Sequence, residues 1–185
     1  MTTVYTIGHS TRSADDFLAI LNAYAIEILA DIRTVPRSRR NPQFDQQELQ
    51  RFLCKHGIRY VQLPGLGGLR RAREDSINTG WENASFRGYA DYMQTAEFAQ
   101  AIDDLIALAT TQRIAIMCAE AVPWRCHRSL VGDALLVRGV AVEDILSQTN
   151  SKPHKLTPWA NVEGIRITYP NTRSQKRSGG DSSPM

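Results

Sequence analysis

The stretch Arg113–Arg138, RIAIMCAEAVPWRCHRSLVGDALLVR, decides the fold. Its apolar start, Ile114 to Met117, predicts a buried strand that ends at Cys118. A polar loop follows, and apolar residues then recur at helical spacing from Leu130 to Val137. A buried strand that passes through a polar loop into a helix is typical of α/β proteins, which bind ligands at this junction. The stretch therefore predicts both the fold class and the position of the site.

The same alternation extends to both sides of this stretch. Four more short runs predict strands, and helical patterns separate most of them: Val4–Ile7, Ile26–Ile32, Tyr60–Leu63 and Val140–Leu146. We therefore predict a single α/β domain over residues 1–170, with a mostly parallel sheet of four to five strands and helices on both faces. Residues 171–185 are rich in Ser, Gly, Arg and Lys, which predicts a disordered C-terminal tail.

The composition excludes several classes of protein. The chain is 42% hydrophobic and 22% charged, which is ordinary for a globular protein. No apolar run approaches the roughly 20 residues that span a bilayer, so no membrane partner is expected. The N-terminus lacks the pattern of a signal peptide, and three cysteines are too few for a disulfide framework. These features predict a cytoplasmic protein with free thiols, and the net charge of +3 allows an anionic partner.

Polar or glycine residues follow each of the first four predicted strands. Parallel strands joined by right-handed crossovers end at one edge of the sheet, so we expect these residues to meet there. For single residues a structural role is an equal alternative, for example a mutual ion pair between Asp31 and Arg33. The groups in question are Gly8, His9 and Ser10, then Asp31 and Arg33, then Gly67 and Gly68, and finally Cys118 and Glu120.

The central stretch combines thiols with groups that bind anions. A cysteine near a helix N-terminus, Arg and His should have a lowered pKa and act as a nucleophile. Cys118 and Cys126 are both candidates for this role, and Glu120 and His9 are candidates for acid/base catalysis. The residues expected to bind substrate or its anionic group are Ser10, Asp31, Arg33, Gly67, Gly68, Arg125, His127 and Arg128. The Cys-x5-Arg spacing of cysteine phosphatases is absent, because Trp124 stands at the position of the arginine.

Other roles for the thiols stay open at this point. Cys118, Cys126, His127 and His9 suit zinc or iron by ligand type, but their spacing is poor and no metal site is assigned. Cys118 and Cys126 could instead form a reversible disulfide, which requires Cα atoms within about 7 Å. Both cysteines could also be packing residues. Basic loops at residues 33–40 and 70–73 could steer phosphorylated ligands or nucleic acid.

Several motifs resemble the bacterial family called domain of unknown function 488. They are Tyr5–Ser10, Asp31–Arg33 with Pro36, Ser38 and Arg39, Pro42–Phe44, Leu66–Gly68, Gly88–Met93, Met117–Glu120 with Pro123, Cys126–Arg128, Leu156–Pro158 and Tyr169–Pro170. The resemblance extends over about residues 4 to 170. It implies which motifs belong together but implies no reaction.

These observations predict an enzyme that acts on an anionic, phosphate-bearing small molecule or nucleotide through a Cys/Glu/His/Arg site, as a transferase or hydrolase with a reactive cysteine. The alternatives are a nucleic-acid-binding or repair-associated module without turnover, and a metal-dependent hydrolase. The sequence indicates neither a cofactor nor an oligomeric state. His154 lies in a stretch rich in Lys and Pro and is predicted to be peripheral.

Overall fold

A computed structural model describes residues 2–171 of the chain. The predicted tail, apart from Asn171, lies outside the described residues. The helices are α1 (Ala14–Ala23), α2 (Gln46–Lys55), α3 (Ala84–Tyr92), α4 (Ala96–Thr111) and α5 (Arg128–Leu136). The strands are β1 (Thr3–Gly8), β2 (Ile28–Asp31), β3 (Arg59–Gln62), β4 (Ile114–Cys118), β5 (Ala141–Ser147), β6 (Asn150–Pro153), β7 (Asn161–Glu163) and β8 (Arg166–Thr168).

The main sheet has the strand order β3-β2-β4-β1-β5-β6. Its first five strands are parallel, and β6 pairs antiparallel with β5, which confirms the predicted α/β class. The sheet has six strands because the short polar segment Asn150–Pro153 adds an edge strand that carries no apolar pattern. β7 and β8 form a separate antiparallel hairpin.

Helices cover both faces of the sheet, as the sequence predicts. Ile114 and Ile116 of β4 belong to the apolar cluster that includes residues of α3, α4 and α5. Ala115 and Met117 point the other way, into the cluster formed with α1 and α2. All five residues of β4 are buried because the strand is covered on both faces, and this double burial explains its continuous apolar run.

The sheet topology fixes the position of the site. The chain leaves β2 toward β3 on one side and leaves β4 toward β5 on the other, while β2 and β4 are neighbours. A crevice forms outside the carboxyl ends of two such strands, where their connections diverge. Asp31 and Met117 are partners in the register of these two strands, so the crevice lies just beyond Asp31 and Cys118. Within residues 2–171, no helix has the length and apolar character to cross a membrane.

Candidate functional site

A cavity of about 360 Å³ opens at the carboxyl ends of β2 and β4. Seven of the predicted site residues line it: Arg33, Gly68, Cys118, Glu120, Arg125, Cys126 and His127. The other five, His9, Ser10, Asp31, Gly67 and Arg128, are absent from the lining and lie beside or behind it. Three of the four predicted strand ends therefore contribute to the cavity lining, and the end of β1, with His9 and Ser10, does not.

The loop after β4 is held against the end of β1. A Cβ atom on Gly8 would lie only 1.8 Å from the Glu120 carbonyl oxygen, so only glycine allows this approach. The His9 and Ser10 amides donate to the carbonyls of Cys118 and Ala119, each at 2.9 Å. These backbone contacts fix the direction in which the chain leaves Cys118.

Arg128 is the largest fully buried side chain, with no exposed surface. Its Nη1 donates to the carbonyls of Ile7 at 2.9 Å and Glu120 at 3.0 Å, and to the Sγ atom of Cys118 at 2.8 Å. Within residues 2–171 it forms no ion pair with a carboxylate. A buried guanidinium is costly without a counterion, and the Cys118 sulfur is the contacting group that can become one.

The two cysteine sulfurs of the site are in direct contact, with their Sγ atoms 2.6 Å apart. Burial raises the pKa of Cys118, but the hydrogen bond from Cys126 and the charge of Arg128 outweigh it and lower this pKa to about 7. The same hydrogen bond, together with burial, raises the pKa of Cys126 well above its usual value. Cys118 is therefore the member of the pair that ionises first, near neutral pH, with the Cys126 thiol as its hydrogen-bond donor.

His127 lies on the other side of Cys126. Its Nε2 donates to the Ile32 carbonyl at 3.1 Å, which leaves Nδ1 as an acceptor 3.5 Å from the Cys126 sulfur. Burial lowers the pKa of His127 to about 4, so the imidazole is neutral at physiological pH. Gly68 makes room for this ring, since a Cβ atom there would lie 2.5 Å from Nδ1.

Asp31, Arg33 and His9 form a buried polar group behind the cavity. Arg33 donates to Asp31 through Nε at 2.9 Å and Nη2 at 2.6 Å, and through Nη1 to His9 Nε2 at 3.4 Å. Tyr60 donates to the same carboxylate at 2.7 Å. Burial lowers the pKa of His9 to about 4, and its ring stacks on Phe44. The donors of Arg33 are thus largely occupied. Asp31 and Arg33 form the mutual ion pair that the sequence allows as a structural alternative to ligand binding.

Ser10 and Gly67 serve the backbone around the cavity. The Ser10 carbonyl accepts from His9 Nδ1 at 2.8 Å, which fixes the tautomer of that ring. The Gly67 carbonyl accepts from Arg70 Nε at 3.2 Å, and a Cβ atom on Gly67 would lie 2.6 Å from the Thr34 hydroxyl. Both residues position neighbours of the cavity.

Charged side chains surround the cavity mouth. Arg37 and Arg125 are exposed and form no ion pair within residues 2–171. Glu120 is also exposed and is the only carboxylate among the lining residues. Since Arg33 is neutralised by Asp31, the two free guanidiniums leave the mouth with an excess of positive charge.

The prediction that His154 is peripheral is wrong. Its side chain is 7% exposed and lies between two carboxylates, 3.1 Å from Asp133 and 3.0 Å from Asp144. Tyr169 donates to Asp133 at 2.8 Å, and Thr6 donates to Asp144 at 2.6 Å. Burial lowers the pKa of His154, but the hydrogen bonds to Asp133 and Asp144 outweigh it and raise this pKa to about 9.

No local signal in the sequence joins His154 to Asp133, which is 21 residues away. The nearest indication was that Tyr169 belongs to a late motif that resembles the family. Across residues 2–171, no cluster of three or more His, Cys, Asp or Glu side chains is arranged to hold a metal ion.

The fold and the site together define a parallel α/β protein with a thiol pair and a buried arginine at the carboxyl edge of its sheet. Residues 13–135 match the family described as Domain of unknown function DUF488. The match extends over more than half of the 185 residues, so the chain belongs to this family and the predicted resemblance is confirmed. No curated protein and no solved structure matches the chain.

Proposed function

We propose that this protein is an enzyme that uses the Cys118 thiolate as a nucleophile on a small molecule with an anionic group. The observation that carries the proposal is the contact of 2.8 Å between the Cys118 sulfur and a guanidinium with no exposed surface. A thiolate stabilised near neutral pH is the reactive form of cysteine. Cys118 also lines the cavity, so a substrate in the cavity meets this sulfur.

The charges at the cavity mouth support an anionic substrate. Arg37 and Arg125 are free to pair with a phosphate or carboxylate, and guanidiniums bind such groups through two parallel hydrogen bonds. Val35, Leu69 and Phe86 add an apolar part to the lining. A phosphate-bearing molecule with an apolar or aromatic portion, such as a nucleotide, matches this combination.

Covalent catalysis through Cys118 accounts for the predicted transferase or hydrolase chemistry. The sulfur forms a bond to the electrophilic atom of the substrate, and the leaving group departs with the electrons of the broken bond. Water or a second substrate then displaces the sulfur. Glu120 is the carboxyl group at the cavity that can supply or accept a proton in these steps. His9 instead positions Arg33, since its Nε2 accepts from that guanidinium.

Alkylation kinetics test the nucleophile. In a Cys54→Ser background, which removes the exposed third thiol, we expect iodoacetamide to modify Cys118 with a midpoint near pH 7. Cys118→Ser should abolish this modification, whereas Cys126→Ala should keep it and shift its midpoint upward because the hydrogen-bond donor to Cys118 is lost. A midpoint near the pKa of an ordinary thiol in the Cys54→Ser protein would contradict the proposal.

The anionic preference has its own test. Iodoacetate carries a carboxylate and iodoacetamide does not, so their rate ratio reports the charge at the cavity mouth. Arg125→Gln should lower the iodoacetate rate about threefold to tenfold and leave the iodoacetamide rate unchanged. Arg138→Gln, which alters an arginine outside the cavity lining, is the matched control. Equal loss with both reagents would mean that Arg125 acts on the sulfur and not on the anion.

A second candidate function is the binding of single-stranded nucleic acid, and one observation favours it. A cavity of about 690 Å³ is lined by all three tryptophans, Trp81, Trp124 and Trp159, and by the exposed Lys152 and Lys155. Trp124 is 69% exposed and precedes Arg125, which lines the thiol cavity. Indole rings next to cationic side chains are the usual platform for unpaired bases.

Titration with oligothymidylate at low salt, followed by tryptophan fluorescence, tests this candidate. Trp124→Ala should raise the dissociation constant about tenfold. Trp124→Phe retains an aromatic ring and is the matched control. No quenching at low salt would remove nucleic-acid binding from consideration.

A further inference from the structure

The thiol pair is asymmetric, and the asymmetry assigns different tasks to its two members. Cys118 contacts the Arg128 guanidinium, whereas Cys126 contacts an unprotonated imidazole nitrogen, Nδ1 of His127. The Arg128 amide, at the start of α5, also points at the Cys126 sulfur from 3.4 Å. One sulfur is thus already favoured as an anion, while the other has a base and a helix N-terminus ready for its own ionisation.

The base at Cys126 is fixed by the fold. Since His127 Nε2 donates to the Ile32 carbonyl, its proton is held there and the lone pair of Nδ1 faces the thiol. The ring packs against Gly68 on one side and lies 5.1 Å from the Tyr89 ring, measured between ring centroids. A neutral, oriented imidazole beside a thiol is the arrangement that generates a second thiolate on demand.

We propose that Cys118 and Cys126 catalyse thiol–disulfide exchange with small anionic disulfides, with Cys118 as the attacking thiol and Cys126 as the resolving thiol. The direct contact between the two sulfurs carries the inference, since the second step needs one sulfur to reach the other. The proposal rests on Cys118 as the nucleophile of the proposed function and names a substrate class for it.

The exchange proceeds in two balanced steps. First, the Cys118 thiolate attacks one sulfur of a disulfide RS–SR, which forms the mixed disulfide Cys118–S–SR and releases RS⁻. His127 Nδ1 then takes the proton of Cys126, and the new thiolate attacks the Cys118 sulfur. The Cys118–SR bond breaks, the second RS⁻ leaves and takes the proton from His127, and a Cys118–Cys126 disulfide remains. The substrate disulfide is reduced to two thiols, the two cysteines are oxidised, and a dithiol reductant reverses the reaction.

Cavity size and charge restrict the substrate. Both cysteines are buried, at 3% and 7% residue exposure for Cys118 and Cys126, so a folded protein surface cannot approach their sulfurs. A small disulfide fits the cavity of about 360 Å³ in part, and carboxylates on it can pair with Arg37 and Arg125 at the mouth. Oxidised glutathione has these properties and is a suitable probe.

Mass spectrometry after incubation with oxidised glutathione tests the proposal in the full-length Cys54→Ser protein. We expect this protein to lose two hydrogens and retain no glutathione, because the mixed disulfide resolves. Cys126→Ser should stop at one glutathione attached to Cys118, and Cys118→Ser should give no loss of hydrogens. His127→Gln should accumulate the same mixed disulfide and resolve it about a hundredfold more slowly.

The outcomes separate this inference from the proposed function. If iodoacetamide modifies Cys118 near pH 7 but glutathione never attaches in Cys126→Ser, the exchange is overturned and the nucleophile stands. If glutathione attaches in the Cys54→Ser protein and is never released, Cys126 is not the resolving thiol and the inference is also overturned. If neither reagent modifies Cys118, both proposals fail. Unfolding midpoints close to that of the Cys54→Ser protein establish that each variant is folded.

Discussion

Helix α5 contributes one residue, Arg128 or Asp133, to each of two buried polar clusters, and the two clusters compensate a buried cation in different ways. The thiol cluster consists of Cys118, Cys126, His127 and Arg128, and the carboxylate cluster consists of Asp133, Asp144, His154 and Tyr169. Each contains one buried cation. In the carboxylate cluster this cation has two carboxylates, whereas in the thiol cluster it has a sulfur that ionises near pH 7.

The difference predicts different work for the two clusters. The carboxylates of Asp133 and Asp144 accept hydrogen bonds from His154 and from neighbouring hydroxyls, so this cluster should stabilise the fold, although Asp144 and His154 also line the cavity of the tryptophans. The thiol cluster borders a cavity, and its anion can be lost to protons or to a substrate. Stability should therefore depend more on the carboxylate cluster and reactivity on the thiol cluster.

Asp133→Asn should give the largest loss of stability. Asp133 is fully buried and accepts from His154, from Tyr169 and from the Thr157 amide, which together require an anionic oxygen pair. Removing one partner of such a group should lower the free energy of unfolding by about 3–5 kcal/mol. Urea denaturation measures this loss, and alkylation of the folded variant at Cys118 should be unchanged. A slower alkylation would mean that the clusters are coupled through α5.

The pH dependence of stability should have opposite signs for the two clusters. His154 titrates at about 9 when folded and near 6.5 when unfolded, so its contribution is complete below pH 6.5 and is lost as the pH rises to 9. Cys118 titrates at about 7 when folded and near 9 when unfolded, so its contribution is complete above pH 9 and is lost as the pH falls to 7. Each of the two contributions to the free energy of unfolding is about 3 kcal/mol. Between pH 7 and pH 9 they change in opposite directions and offset each other in the unmodified protein.

Single variants should separate the pH-dependent contributions of Cys118 and His154 to stability. In Cys118→Ser only the contribution of His154 remains, so the free energy of unfolding of this variant should decrease from pH 7 to pH 9. In His154→Gln only the contribution of Cys118 remains, so the free energy of unfolding of this variant should increase over the same range. Denaturant titrations at several pH values measure both slopes. If Cys118→Ser shows the slope of the unmodified protein, Cys118 is not ionised in the folded state.

Arg128→Lys should affect both properties of the thiol cluster. One ammonium group cannot reproduce the contacts of the guanidinium with three carbonyls and the Cys118 sulfur, so we expect a loss of about 2 kcal/mol in stability. Lysine keeps the positive charge but not the Nη1 contact with the sulfur, so the pKa of Cys118 should rise only in part. The pH profile of iodoacetamide alkylation measures this rise. Arg125→Lys, which changes an exposed guanidinium, is the control and should leave the profile in place.

The fold and the edge of the sheet that bears the site could be predicted because both depend on local patterns. Apolar runs and helical spacing indicated the strands and helices, and parallel strands must end on one side. The polar strand β6 could not be predicted because its own sequence has no strand pattern. It is a strand because it pairs with β5. In the same way, His154 looked peripheral because Asp133 and Asp144 reach it only through tertiary packing.

The residues that lie at the site were easier to predict than the role of each residue there. Arg33 and Arg128 are both arginines at strand or helix ends, yet Asp31 occupies the donors of one while the other faces a thiol. His9 and His127 are likewise both neutral, but only His127 contacts a cysteine. Which donor meets which acceptor depends on side-chain directions at distances of about 3 Å, and sequence spacing does not encode these directions.

Two glycines offer the smallest and most direct comparison of the clusters. Each makes room for an imidazole: a Cβ atom on Gly68 would lie 2.5 Å from His127 Nδ1, and one on Gly132 would lie 2.7 Å from His154 Nε2. Gly132→Ala should displace His154 from Asp133, and the gain in helix propensity of about 1 kcal/mol offsets only part of that loss. We expect a net destabilisation of about 1 kcal/mol and unchanged thiol chemistry.

Gly68→Ala should have the complementary effect. The displaced His127 loses one hydrogen bond to Ile32, which lowers stability by about 1 kcal/mol as well, but it also moves the base away from Cys126. Resolution of the glutathione adduct should therefore slow in Gly68→Ala and not in Gly132→Ala, although the two variants have similar stability. Equal resolution rates in the two variants would show that the position of His127 does not affect the reactivity of Cys126. The difference in reactivity between the two clusters would then depend on Arg128 alone.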